Sequence, residues 1–143
     1  MEKKSLIEEL HDIQDKEKNK NYIPREEAEK CTSPGTPASK VYGVATFYTM
    51  FSVKPRGRHI IRVCRNLSCH LEGAENIADK LKEILGIGFD STTPDGMFTL
   101  EESSCLGMCS VSPAMTVDDV PFGNLHPGDI ESILKKIRAG EKK

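Results

Sequence analysis

Four of the five cysteines fall into two close pairs, Cys64-x4-Cys69 and Cys105-x3-Cys109. Thiolates in groups of four select a 2Fe-2S cluster or a tetrahedral zinc ion, because both bind sulfur and neither needs an oxygen ligand. Structural zinc sites usually separate paired cysteines by about two to four residues, often as C-x2-C knuckles, so the x4 and x3 gaps are admitted without being favoured. A 2Fe-2S cluster is larger than one ion, and wider loops wrap it more naturally. Spacing alone therefore leaves three readings: a cluster on Cys64, Cys69, Cys105 and Cys109, a zinc ion on the same four, or thiols that are reactive or simply buried. The absence of C-x-x-C counts against a thioredoxin-type active site. Cys31 stands apart and reads as a small, partly buried apolar residue. His70 follows Cys69 directly, but Rieske ligation takes two histidines on one iron and no second Cys-His pairing exists. His11, His59 and His126 are scattered and read as solvated or turn histidines. Gly73, Gly107 and the small Ser68, Ser104, Ser110 and Ser112 let backbone N–H groups approach the sulfurs, although such residues are also ordinary loop composition.

No other chemistry stands out. There is no G-x-G-x-x-G after a strand and no G-x-x-x-x-G-K-[ST], so the usual means of binding dinucleotides or nucleoside triphosphates are missing. Asp95, Asp118 and Asp119 read as turn residues rather than an acid/base pair. A redox centre with no substrate site suggests an electron relay. Twenty Lys plus Arg against 22 Asp plus Glu give a formal charge of -2, which argues against nucleic acid as a partner. No apolar run approaches the roughly 20 residues needed to cross a bilayer, and the charged start Met1-Glu2-Lys3-Lys4 is unlike a signal peptide. The expected location is the cytoplasm, without direct membrane insertion, where reducing conditions favour metal or redox roles for cysteine over disulfides.

The elements that must position these residues follow from periodicity. With 143 residues, 37% hydrophobic and 29% charged, the chain suits one ordinary domain or a small domain with an appended helical segment. Leu6, Ile7, Leu10 and Ile13, preceded by a Ser5/Glu8 capping box, predict a helix near 5 to 20. A short second helix is expected from Pro24, and a third from Pro37 carrying Val41, Val44, Ala45, Tyr48 and Phe51. Phe47, Tyr48 and Phe51 read as core, with an exposed docking stripe as the alternative. Beyond Pro55-Arg56-Gly57 the pattern changes to a strand over His59 to Cys64 and a helix over Ala74 to Leu85 stopped by Gly86. A turn at Thr93-Pro94-Asp95-Gly96 follows, then a strand through Phe98 and Leu100 running toward Cys105. Ala114 to Val117 and Val120 to Leu125 read as two further strands joined at Asp118-Asp119, and a helix begun near Pro127 carries Ile130, Ile133, Leu134 and Ile137. Each cysteine pair thus lies where a strand is expected to run into a loop. The expected division is an N-terminal helical segment, 1-54, that docks to a partner, and an α/β (α+β) domain, 58-143, with helices flanking a mixed sheet.

In this order the chain resembles a known family: the thioredoxin-like 2Fe-2S subunits of Complex I, the 24 kDa type, and of NAD(P)-linked hydrogenases and formate dehydrogenases. The residues that carry the resemblance are Tyr22-Ile23-Pro24, Val41-Tyr42-Gly43-Val44-Ala45-Thr46-Phe47-Tyr48, Pro55-Arg56-Gly57, Val63-Cys64-x4-Cys69-x3-Gly73, Asp95-Gly96-Met97-Phe98-Thr99-Leu100-Glu101 and Cys105-Leu106-Gly107-x-Cys109-x3-Pro113. The resemblance implies a thioredoxin-like domain behind a small N-terminal helical bundle, and Cys64, Cys69, Cys105 and Cys109 as the ligands of one 2Fe-2S cluster. It further implies single-electron relay to or from a flavin- and NAD(P)-binding partner subunit accompanied by other iron-sulfur subunits, with FMN and NAD(P) held only by that partner. On this reading the chain has no substrate-conversion site of its own. A redox-inert, zinc-stabilised interaction module is the alternative function. Where the family carries a longer apolar helix after Tyr-Ile-Pro, this chain has Glu29-Lys30-Cys31-Thr32-Ser33-Pro34-Gly35-Thr36-Pro37.

Overall fold

The computed structural model describes residues 4–16 and 21–140. The chain divides into two compact units, Met1–Arg58 and His59–Lys143.

The first unit is helical. Helix α1 (Leu6–Lys16) starts on the expected capping box, the Ser5 N–H donating to the Glu8 carboxylate at 2.7 Å and the Glu8 N–H to Ser5 Oγ at 3.3 Å. It is described as far as Lys16, and the remainder of the expected helix, 17–20, lies outside the described residues. Helix α2 (Arg25–Glu29) follows Pro24, and α3 (Ala38–Phe47) follows Pro37, as proline at a helix entry predicts. Between them, the segment that departs from the family pattern forms a tight reversal, with Ser33 and Thr36 exchanging backbone hydrogen bonds at 3.0 and 2.8 Å. Leu10, Ile13, Ile23, Val41, Ala45 and Phe51 form the core of this unit. The third helix was expected to run on through Phe51, but Tyr48 is extended and α3 stops at Phe47. That break splits the aromatic stripe: Phe51 turns inward at 5% exposure, while Phe47 stays 77% exposed.

Gly43 lies inside α3 with open space where a Cβ would project. Gly43→Ala should therefore raise stability by about 0.5–1 kcal/mol through lower unfolded-state entropy. Chemical denaturation would check this; no gain would mean that the helix interior is already constrained some other way.

The second unit is built on a five-stranded sheet in the order β2-β3-β1-β4-β5, comprising β1 (His59–Cys64), β2 (Ser91–Thr92), β3 (Phe98–Ser103), β4 (Met115–Val117) and β5 (Val120–Phe122). Strands β1 and β3 run parallel, which is possible because helix α5 (Ala74–Leu85) lies in the connection between them; the remaining pairs are antiparallel. Ile61, Val63, Phe98, Leu100, Met115 and Val117 from three strands pack with Ile77 and Leu81 of α5 and Ile130 and Leu134 of α6 (Pro127–Arg138). Their helical periodicity was legible, and Gly86 ends α5 in the left-handed conformation expected of it, at φ 68°.

Four local features differ from expectation. Helix α4 (Leu67–Leu71) and strand β2 are present although too short to leave a periodic signature. The last strand ends at Phe122 rather than Leu125, because Asn124 turns left-handed at φ 49° and Leu125 drops into the core. His59 is neither solvated nor a turn residue: its Nδ1 lies 2.8 Å from Asp118 Oδ2, and its side chain is only 11% exposed. Asp118 is itself a turn residue, at φ 55°, whose Oδ1 also accepts the Ile60 N–H at 3.0 Å.

The Thr93–Gly96 turn closes through the Gly96 N–H donating to the Thr93 carbonyl at 2.8 Å. Asp95 braces it, accepting from the Thr93 hydroxyl and, at 3.0 Å, from the Met97 N–H. These donors, the Thr93 hydroxyl first, hold the Asp95 carboxyl below its ordinary pKa. A depressed carboxyl stabilises the fold above its unfolded pKa, about 4, and loses that contribution as pH falls through its lower folded value. Asp95→Asn should therefore lower the melting temperature at pH 7, and the gap from the unmodified protein should close as pH falls below about 4. A gap constant from pH 7 to the acid limit would remove the carboxylate charge as its cause.

Candidate metal centre

The parallel pairing of β1 and β3 brings both cysteine loops to one end of the sheet. Cys64 is the last residue of β1 and stands opposite Ser103, the last residue of β3, so Cys105 begins the neighbouring loop two residues further on. Backbone bonds continue past both ends, the Arg65 N–H donating to the Ser103 carbonyl at 3.2 Å and the Cys64 N–H to Ala114 at 3.1 Å.

Cys69 was expected in a loop and lies on α4 instead. Asn66 starts that helix, its Oδ1 accepting the Leu67 N–H at 3.0 Å. One helical turn then returns Cys69 toward the strand end it has just left. Cys64 and Cys69, both 2% exposed, share a small apolar cluster with Ala74 and Ala114. Leu106 and Met108 pack onto the same cluster, so the Cys105–Cys109 loop lies against the buried pair.

That loop presents the other two thiols to solvent, with Cys105 Sγ and Cys109 Sγ 3.4 Å apart. Gly107 is left-handed at φ 76° and donates its N–H to Cys105 Sγ at 3.3 Å. This N–H is the largest influence lowering the Cys105 thiol pKa; the Cys109 thiol and the Asn66 side chain also act in that direction. Cys109 moves the opposite way, pushed up first by its hydrogen bond to Cys105, with Ser68 opposing and the Cys69 sulfur adding to the rise.

The structure therefore brings all four sequence-selected cysteines to one end of the second unit. Cys31 is elsewhere, half-buried against the core of the first, where burial raises its thiol pKa. His70 is drawn toward Glu75, its Nδ1 lying 3.7 Å from Oε1. Asn66 was missed in the sequence, although an Asn before a short Leu-Ser-Cys-His-Leu run is an N-cap signal.

The donor set suits an iron-sulfur group. Two thiolates on one tetrahedral metal, each about 2.3 Å from it, stand roughly 3.8 Å apart, close to the observed Cys105–Cys109 separation. The family model for thioredoxin-like [2Fe-2S] ferredoxins matches residues 1–138. The chain belongs to that family. One 2Fe-2S cluster is accordingly its cofactor.

The chain is 45% identical over 101 residues to a subunit of the NADH-quinone oxidoreductase of Pseudomonas aeruginosa, a match covering 71% of this chain and 61% of that protein. It is 38% identical over 98 residues to the NADP-reducing hydrogenase subunit HndA of Solidesulfovibrio fructosivorans, covering 68% of this chain and 57% of that one. It thus spans about three fifths of the length of these curated relatives. A crystal structure of an NAD+-reducing [NiFe]-hydrogenase in the air-oxidized state shares the fold, with a TM-score of 0.77, 21% identity and coverage of 96% of this chain and 23% of that one. No helix among the described residues is long and apolar enough to cross a membrane.

Proposed function

We propose that Cys64, Cys69, Cys105 and Cys109 hold the 2Fe-2S cluster, and that the protein is a one-electron relay within a multisubunit oxidoreductase. The observation that carries this is that two thiol pairs lie at the shared end of β1 and β3, one pair buried and the other exposed. When bound, such a cluster supplies reversible one-electron chemistry near the low-potential end of the biological range. The protein's own part is positional. The strand end and α4 fix Cys64 and Cys69 in a dry, apolar setting, which limits water access from that side. The Gly107 N–H favours the thiolate of Cys105, and the exposed Cys105–Cys109 edge leaves a path for electrons on the solvent side. In this reading the chain converts no substrate itself.

The partner is a flavin- and NAD(P)-binding subunit, accompanied by further iron-sulfur subunits, with FMN and NAD(P) bound there rather than here. Support comes from the relatives, one named as a subunit of an NADH-quinone oxidoreductase and another of an NADP-reducing hydrogenase. The N-terminal helical unit would serve assembly, in keeping with exposed Tyr42 and Phe47 on α3.

Anaerobically purified protein tests the cluster reading directly. About two irons and two sulfides per chain are expected, with visible bands that bleach on dithionite and a one-electron paramagnetic signal. A colourless protein that takes up zinc and no reconstituted cluster would overturn it.

A further inference from the structure

We propose that the Ser112 hydroxyl donates a hydrogen bond to the Cys69 sulfur of the bound cluster and thereby raises its reduction potential, making Ser112 a positioning residue for electron transfer. The inference rests on the ligand assignment proposed above.

Ser112 Oγ lies 3.4 Å from Cys69 Sγ, across 43 residues of sequence. The same hydroxyl donates to the Cys109 carbonyl at 2.9 Å, so one small side chain touches both cysteine-bearing segments. With a thiol at Cys69, either atom of the Ser112–Cys69 pair can be the donor. With a thiolate the choice disappears, since a ligating sulfur has no proton to give. Rotation about the Ser112 C–O bond exchanges the neutral carbonyl for a charged acceptor, and charge-assisted bonds are the stronger ones. Cys69 is only 2% exposed, so bulk water competes poorly for its sulfur.

The position of Ser112 is set from outside its own loop. The Asn124 N–H donates to the Val111 carbonyl at 2.6 Å and the Leu125 N–H to the Pro113 carbonyl at 3.2 Å, clamping the backbone on both sides of residue 112. Reduction adds one electron to the cluster and increases the negative charge shared by its sulfur ligands. A fixed donor therefore stabilises the reduced form more than the oxidised one, and no proton need be taken up.

The test uses the full chain carrying its cluster, with Ser112→Ala and Ser112→Thr compared by dye-equilibrated redox titration and paramagnetic resonance. Ser112→Ala should shift the reduced-to-oxidised ratio about tenfold toward the oxidised form at a fixed potential, equivalent to about 59 mV more negative for one electron. Ser112→Thr, which keeps the hydroxyl, should retain the parent potential. Equal potentials in the parent and in Ser112→Ala, both with full iron, would overturn the inference while leaving the ligand assignment intact. Parent protein without two irons would instead defeat the assignment itself, and this inference with it. Should Ser112→Ala fail to hold a cluster, Ser112→Thr and Ser112→Val fill similar space with and without a hydroxyl. A lower potential in Ser112→Val then supports the bond, and a shared potential overturns it.

Discussion

Cys105→Ala protein is expected to retain at least about tenfold less iron than the parent while keeping its helical content. Loss of a hydrogen-bond partner behind a metal ligand already costs about 10–100-fold in metal affinity, and loss of the ligand costs more. Cys105 suits the experiment because it is exposed and belongs to no buried packing cluster, so shortening it leaves no cavity. The same change at Cys64 or Cys69 would mix lost ligation with lost packing, since both are buried with Ala74 and Ala114. Cys31→Ala is the matching control, because Cys31 packs in the first unit. Iron and sulfide analysis beside far-ultraviolet circular dichroism would read both quantities. Full iron in Cys105→Ala, or iron lost equally from Cys31→Ala, would remove Cys105 from the ligand set.

Gly123→Ala is expected to cost about 1–3 kcal/mol of stability, the range for forcing atoms into a packed site. A Cβ at residue 123 would stand 2.5 Å from Val111 Cγ2, 2.7 Å from Val111 Cβ and 2.9 Å from the Val111 carbonyl oxygen. None of these yields easily: the valine is β-branched, and its carbonyl already accepts the Asn124 N–H at 2.6 Å. The strain falls on the single 3-10 turn Cys109–Val111, so the cost should extend from stability to the centre. Gly123→Ala protein should unfold at lower denaturant and lose iron to a chelator faster than the parent. Gly128→Ala, where a Cβ meets nothing within 4 Å, should do neither. Parent-like behaviour of Gly123→Ala would mean that the turn can shift without disturbing Cys109.

Much of this molecule was legible because its signals are local. The capping box at Ser5 and Glu8, the apolar stripes of α5 and α6, the stop at Gly86 and the turn at Thr93–Gly96 each depend on residues a few positions apart. Aromatic spacing was less informative. Phe47 and Phe51 fit one helical stripe, but the helix ends between them and sends one side chain outward and the other into the core. Short elements escaped for a related reason: neither the five residues of α4 nor the two of β2 span enough sequence to show a period.

Residue identity and short spacing carry the chemistry on offer: four cysteines in two pairs, no competing substrate motif, and the motif order that places the chain in its family. Those features need no folding to be read. The parallel pairing of β1 and β3, with Cys64 opposite Ser103, emerges only in three dimensions, and it brings the two cysteine loops to the same end of the sheet. The return of Cys69 into the apolar cluster by α4, and the reach of Ser112 to Cys69 across 43 residues, are visible only there as well. Strand register and side-chain contacts of that range depend on how the apolar faces of distant segments are buried together, and no local run of residues encodes that choice.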